Sequence, residues 1–217
     1  SPNGKFVIMH NGHTDTWNTA GENTMIKTLV EAGYTVAGLM MPPGSGGEGT
    51  THDSMEIYDG VEDLYRFLDS AVRVINQYEG TFSTFYMVGL SGGGWSTVLV
   101  SALETRISKS VDIQGSIPLY CSTPAGVARD WEQTLPGLTS LVEYTDLYLM
   151  CATGTKQHLQ VLGTDDPVGF RMRTYSWHPY SEELALYTDQ YELKWDTTIE
   201  HSISETARGW VVDFFGE

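Results

Sequence analysis

Residues 85–104 read Phe85-Tyr86-Met87-Val88-Gly89-Leu90-Ser91-Gly92-Gly93-Gly94-Trp95-Ser96-Thr97-Val98-Leu99-Val100-Ser101-Ala102-Leu103-Glu104. The apolar run 85–90 has the length and composition of a buried strand, and 95–104 those of a helix. Between them Gly89, Ser91 and Gly93 form the pattern G-x-S-x-G. A turn this sharp needs small neighbours so that backbones can pass. It aims the serine hydroxyl out over the sheet edge, where the start of the next helix favours developing negative charge. A phosphate-binding loop is the competing explanation for such glycines, but it would end in Gly-Lys-Ser or Gly-Lys-Thr, and Trp95 stands where a lysine would be needed.

The same alternation extends in both directions. Residues 5–10 read as a short strand, 18–32 as a helix with Asn18 or Thr19 as cap and Gly33 past its end, and 34–41 as a strand stopped by Pro42 and Pro43. Residues 44–50 are a glycine-rich loop. An amphipathic helix over 61–78 places Val61, Leu64, Phe67, Leu68, Ala71, Val72 and Ile75 on one face. Strands follow at 111–119, 158–162 and 191–198, and a helix over 203–215 closes the chain. Strands alternating with helices predict a three-layer α/β fold, a mostly parallel sheet with helices on both faces. Residues 121–153 are irregular and mostly helical, the natural place for a small helical cap within a single domain spanning 1–217.

Composition bounds the function. Hydrophobic residues make up 41% and aromatic residues 12% of the 217, as in a globular domain. No apolar run approaches the roughly 20 residues that span a bilayer. With 28 acidic against 12 basic side chains the formal net charge is −16. Nucleic acid needs a basic surface, so a nucleic-acid partner is not expected, nor is docking on anionic membranes. The acidic surface is expected to serve solubility. Two cysteines, Cys121 and Cys151, allow one bridge or two buried thiols and leave the redox compartment open. The chain starts at Ser1 with no signal-like segment, as expected of a processed protein or an excised piece; secreted and periplasmic locations both stay open.

A serine hydroxyl is a weak nucleophile until a base takes its proton. Among six histidines, His201 lies between the last strand and the last helix, on the rim where strand ends and helix starts meet. It is expected to be the general base. A carboxylate must orient it. Asp166, held extended by Pro167 just past the fifth strand, is favoured over its neighbour Asp165, which is expected to cap the turn. Two backbone N–H groups would stabilise an oxyanion: Gly92, after the nucleophile, and His13, at the exit of the first strand, where Gly12 permits an unusual turn. The side chains of His10 and His13 are expected to pack or touch substrate. Two histidines three apart are weak evidence for zinc, so neither a metal nor a cofactor is expected. His52, beside Asp53, and Trp131, in Arg129-Asp130-Trp131-Glu132-Gln133, are candidates to contact substrate. His158 opens a strand and His178 precedes Pro179; neither has a catalytic context.

Gly89 to Gly93, then Gly163 to Val168, then His201 to Ser204 give the order Ser, Asp, His, and with it the chain resembles the α/β-hydrolase superfamily. The resemblance runs from Lys5 to Phe215 and is nearest to carboxylesterases of the dienelactone-hydrolase and acetyl-xylan-esterase kind. It implies hydrolysis of a small-molecule carboxylic ester through an acyl-enzyme. Peptidases, thioesterases and non-catalytic binding proteins share the fold and are the alternatives. Members usually carry two antiparallel strands before the one at Lys5; here they are missing.

Overall fold

The computed structural model describes residues 4–13, 20–42, 64–122, 130–168, 170 and 180–217. In chain order these form β1 (Lys5–His10), α1 (Ala20–Glu31), β2 (Thr35–Leu39), α2 (Tyr65–Tyr78), β3 (Thr84–Leu90), α3 (Gly92–Leu103), β4 (Ile107–Ile113) and α4 (Leu119–Ser122). After a 3-10 turn at Trp131–Thr134 come α5 (Pro136–Thr139), α6 (Tyr144–Cys151), β5 (Gln157–Gly163), α7 (Tyr180–Leu184), β6 (Tyr191–Asp196) and α8 (Glu205–Gly216). The six strands make one sheet in the order β2-β1-β3-β4-β5-β6. All five pairings are parallel.

Strand periodicity decides which helix covers which face. Along β1 and β3, Val7, Met9, Tyr86, Val88 and Leu90 point to one side and join Met25 and Leu29 of α1 and Ala207, Val211, Phe214 and Phe215 of α8. Phe6, Ile8, Phe85 and Met87 point to the other and meet Ala71 and Ile75 of α2. Because both faces are covered, β1 and β3 are mostly apolar along their length, as parallel strands are. Within α2, Phe67, Ala71 and Ile75 form the buried stripe that their spacing anticipates; Val61 lies outside the described residues.

Several boundaries differ from those the sequence suggests. The fourth strand is Ile107–Ile113 rather than 111–119. Its pairing with β3 starts at Phe85↔Ile107, through the polar Ser108, Lys109 and Ser110 that mask it from a hydrophobicity count. Beyond Ile113 the chain turns at Gln114, φ 56°, and leaves the sheet. α3 begins at Gly92, three residues before the helix-forming residues proper. Glycine has low helix propensity, but tertiary packing overrides it here. Within 121–153, α6 packs its buried Tyr144, Leu147, Tyr148 and Cys151 against the elements around α3, where Trp95 Nε1 donates to Tyr144 Oη at 2.8 Å. Cys121 and Cys151 are both buried, and they form no disulfide.

The junction of β3 and α3 tolerates no added atoms. A Cβ on Gly93 would stand 2.2 Å from the His10 carbonyl oxygen and 2.4 Å from that of Asn11. One on Gly89 would stand 2.1 Å from the Gly93 oxygen. These neighbours are backbone and cannot swing aside. Gly209, in α8, has nothing within 4 Å of the same position. Gly93→Ala is therefore expected to cost at least about 3 kcal/mol by overpacking. Gly209→Ala should instead add roughly 0.5–1 kcal/mol by lowering the entropy of the unfolded chain. Urea unfolding of the two variants beside the parent checks both signs.

Candidate active site

Ser91 occupies the turn between β3 and α3 with φ 57° and ψ −127°. For a residue other than glycine this is a strained backbone, of the kind that persists only where surrounding structure holds it. The restraints are visible. Ser91 N–H donates to the Ile113 carbonyl at the end of β4, at 2.9 Å, and Trp95 N–H donates back to the Ser91 carbonyl at 3.0 Å. A Cβ on Gly12 would touch Ser91 Cβ at 2.9 Å, so the exit of β1 lies directly against the serine. The Ser91 side chain is half-buried at the C-terminal edge of the sheet.

His201 comes to the same edge from β6. Ser204 caps α8, accepting from Ala207 N–H at 3.0 Å while its hydroxyl donates to Asp196 Oδ2 at 2.6 Å, which ties the helix start to the end of β6. Ile203 is buried in the cluster that contains Leu90, the residue before Ser91. The exit of β5 is bound to the same corner: Thr164 N–H donates to the Asp196 carbonyl at 2.8 Å. There the fully buried Asp166 accepts from Val168 N–H at 2.8 Å through one oxygen and lies 2.6 Å from His201 Nδ1 through the other. Asp165 takes a hydrogen bond from Thr164 Oγ1 at 3.2 Å. Asp166 thus engages one ring nitrogen of His201, Nδ1, and not Nε2.

Gly92 and His13 meet at the proposed oxyanion position. A Cβ on Gly92 would stand 2.5 Å from His13 Cε1 and 2.7 Å from His13 Nδ1, so the His13 ring lies on Gly92. The imidazole has acidic neighbours. Its Nε2 is 3.1 Å from Glu132 Oε1 and its Nδ1 is 3.6 Å from Asp130 Oδ2. Glu132 is fully buried. Burial alone would lower the His13 pKa, but contact with Glu132 and the charges of Glu132 and Asp130 outweigh it and hold it above the ordinary value. Burial raises the Glu132 carboxyl and His13 draws it back. His13, Asp130 and Glu132 are also the one group among the described residues whose ligand atoms converge, all within 4.8 Å.

Other candidates separate. His10 is buried in β1 with Nδ1 2.9 Å from the Asn11 carbonyl, and burial pushes its pKa down to about 4, so it is a neutral core residue. His158 is likewise buried, against Ser110 at 2.8 Å, its pKa lowered by burial to about 3. Trp131 begins the 3-10 turn that carries Glu132. His52 and His178 lie outside the described residues. Two acids were missed by sequence reasoning. Glu132 was passed over because an isolated glutamate in a polar stretch carries no signal of burial. Asp112, on β4, is fully buried beside the elbow: it accepts from Gly115 N–H at 2.8 Å and Ser116 Oγ at 2.7 Å, and burial raises its pKa to about 6.

No protein-family model matches the sequence, and no curated protein does either. Solved structures do match. The esterase Pf2001 of Pyrococcus furiosus superposes with a TM-score of 0.68 at 16% identity, over 98% of this chain and 82% of its own. Est1E from Butyrivibrio proteoclasticus does so with a TM-score of 0.65 at 17% identity, over 98% and 89%. The esterase domain of a Rhodothermus marinus protein gives 0.58 at 15% identity, over 97% and 84%. Likeness at these identities is likeness of fold, and it agrees with the six-stranded parallel sheet and its flanking helices. The chain has the α/β-hydrolase fold in the form that these esterases share.

Proposed function

We propose that this protein is a serine esterase that hydrolyses a small-molecule carboxylic ester through an acyl-enzyme, with Ser91 as nucleophile, His201 as general base and Asp166 as its orienting acid. One observation carries the proposal: a serine at positive φ on a strand–helix turn shares a sheet edge with a histidine whose Nδ1 lies 2.6 Å from a buried aspartate. A half-buried serine held on a sharp turn, on the same edge as such a pair, is what acyl transfer needs. The esterase names of the structural neighbours, one of them solved with ferulic acid bound, favour an ester over an amide.

In the first step His201 Nε2 takes the Ser91 proton as Oγ bonds to the ester carbonyl carbon. Backbone N–H groups of Gly92 and His13 receive the oxyanion. The intermediate collapses by expelling the alcohol, which takes the proton back from His201. Water, deprotonated by the same nitrogen, then attacks the acyl carbon and releases the acid and free Ser91. Asp166 stays ionised throughout and stabilises the imidazolium.

Ser91→Ala should abolish turnover of p-nitrophenyl acetate and labelling by a fluorophosphonate, with thermal unfolding close to the parent's because the hydroxyl is no part of the core. Turnover near the parent rate in the folded variant would refute the nucleophile. A parent protein that neither turns over esters nor takes the label would be a binding protein on this fold.

Asn substitution separates the two adjacent acids. Asp166→Asn should lower kcat on the order of 10⁴-fold, as loss of the orienting acid does in other triads. Asp165→Asn should change it by less than about tenfold, since its contact is with Thr164. A steady-state comparison of the two proteins decides; the larger loss at Asp165 would reverse the assignment.

A further inference from the structure

His13 enters the site twice, through its backbone and through a ring that the esterase reaction does not use. Glu132 is fully buried, and neither of its oxygens has a hydrogen bond of good geometry. A carboxylate taken out of water this way requires a positive partner. The side chain facing it is His13, at 3.1 Å. The ring's other nitrogen faces a second carboxylate, Asp130, at 3.6 Å, and that group is about half exposed. A carboxylate close to each nitrogen favours the protonated, positively charged ring. The two carboxylates lie on different nitrogens. One ring nitrogen and an oxygen of each acid lie within 4.8 Å of one another, so a metal ion would compete with the proton for the same atoms, and zinc binding tells the two apart.

The orientation matters for function. Nε2 points to the buried acid, while the Cε1–Nδ1 edge lies on Gly92. The buried acid is thus on the far side of the ring from Gly92, while the exposed Asp130 lies near the edge that Gly92 meets. We propose that His13 is a further functional side chain of this site: its imidazolium, clamped between Glu132 and Asp130 and laid against Gly92, is a fixed positive charge beside the oxyanion formed when Ser91 attacks an ester. Glu132 is its positioning residue. The proposal rests on Ser91 being the nucleophile. A preorganised charge in a site sheltered from water stabilises developing negative charge without reorganising.

The sign follows from the groups around the ring. Among the described residues these are Glu132 and Asp130 from the 3-10 turn and its approach, which favour the charged form, and His10 from β1, which stays neutral. Met41, whose Cε a Gly92 Cβ would also touch, is apolar. His13 therefore keeps its proton above the ordinary imidazole range, and the stabilisation is present below its pKa and lost above it. Activity therefore falls on the alkaline side as His13 loses its proton, a limb that the triad by itself would not give.

The test compares kcat/KM against pH on p-nitrophenyl acetate for the parent, His13→Gln, Glu132→Gln and Ser91→Ala. His13→Gln keeps the backbone donor and should lose about 10- to 100-fold at the optimum, less than deleting a direct donor costs, and lose the falling limb. Glu132→Gln should move that limb to lower pH. Parent-like optimum and limb in both variants, with Ser91→Ala inactive, would overturn the role of His13 alone; an active Ser91→Ala would overturn the esterase assignment beneath it. A readout free of turnover guards against misfolded variants: in folded Ser91→Ala, NMR titration of the His13 ring should give a pKa above about 6.5. A value at or below that overturns the proposal. So would stoichiometric zinc binding to Ser91→Ala that Glu132→Gln abolishes, since the cluster would then be a metal site.

Discussion

Everything at the candidate site depends on how closely the β3–α3 turn approaches the ends of β1 and β4. Gly93 lies where any side chain would enter the carbonyls of His10 and Asn11, and Gly94 where one would meet Asp112 Oδ1 at 2.5 Å. That approach lets the Ser91 N–H reach the Ile113 carbonyl and holds the serine at positive φ, a conformation it would otherwise leave. The strain is offset by the sheet on either side, in β-strands that are among the most buried parts of the molecule.

The site is assembled at the exits of β1, β3, β4, β5 and β6, each held by contact with a neighbour rather than by its own loop. β3 carries Ser91; β1 delivers Gly12 and His13 against Ser91 and Gly92; β4 accepts the serine's N–H. β5 and β6 are joined by Thr164 and Asp196, and that tie sets Asp166 beside His201. A parallel sheet puts all these exits on one edge, which is why residues 13, 91, 166 and 201 share a rim although more than a hundred and eighty positions separate the first from the last. Burial and charged neighbours then shift their titration. His10 and His158, fully buried and with no acid beside them, have their pKa lowered, whereas His13, partly buried beside two acids, has its pKa raised. Burial raises the buried acids: Asp112, with only neutral donors, and Glu132, in spite of His13.

Much of this was legible in the residues. Short apolar runs punctuated by glycine and proline placed five of the six strands within a few residues, because a buried parallel strand must be apolar and must stop where the chain turns. The fourth strand was displaced, since Ser108, Lys109 and Ser110 are polar yet paired, with Lys109 Nζ reaching the Phe214 carbonyl at 2.6 Å. Ser91, Asp166 and His201 were legible through spacing and context. The role of Glu132 was not, because burial of a lone acid is decided by what folds over it.

The sequence by itself determined the layer order and the rim. The order of strands, helices and glycine-rich turns admits few parallel arrangements, and those few all bring the strand exits together. Only the tertiary structure decided which way each histidine's pKa moves. His10 and His158 are closed within strands without an acid beside them, whereas His13, past the exit of β1, has Glu132 and Asp130 brought to it by another segment. Desolvation and Coulomb interaction act through space, over a few ångströms, and neither is written in the spacing along the chain.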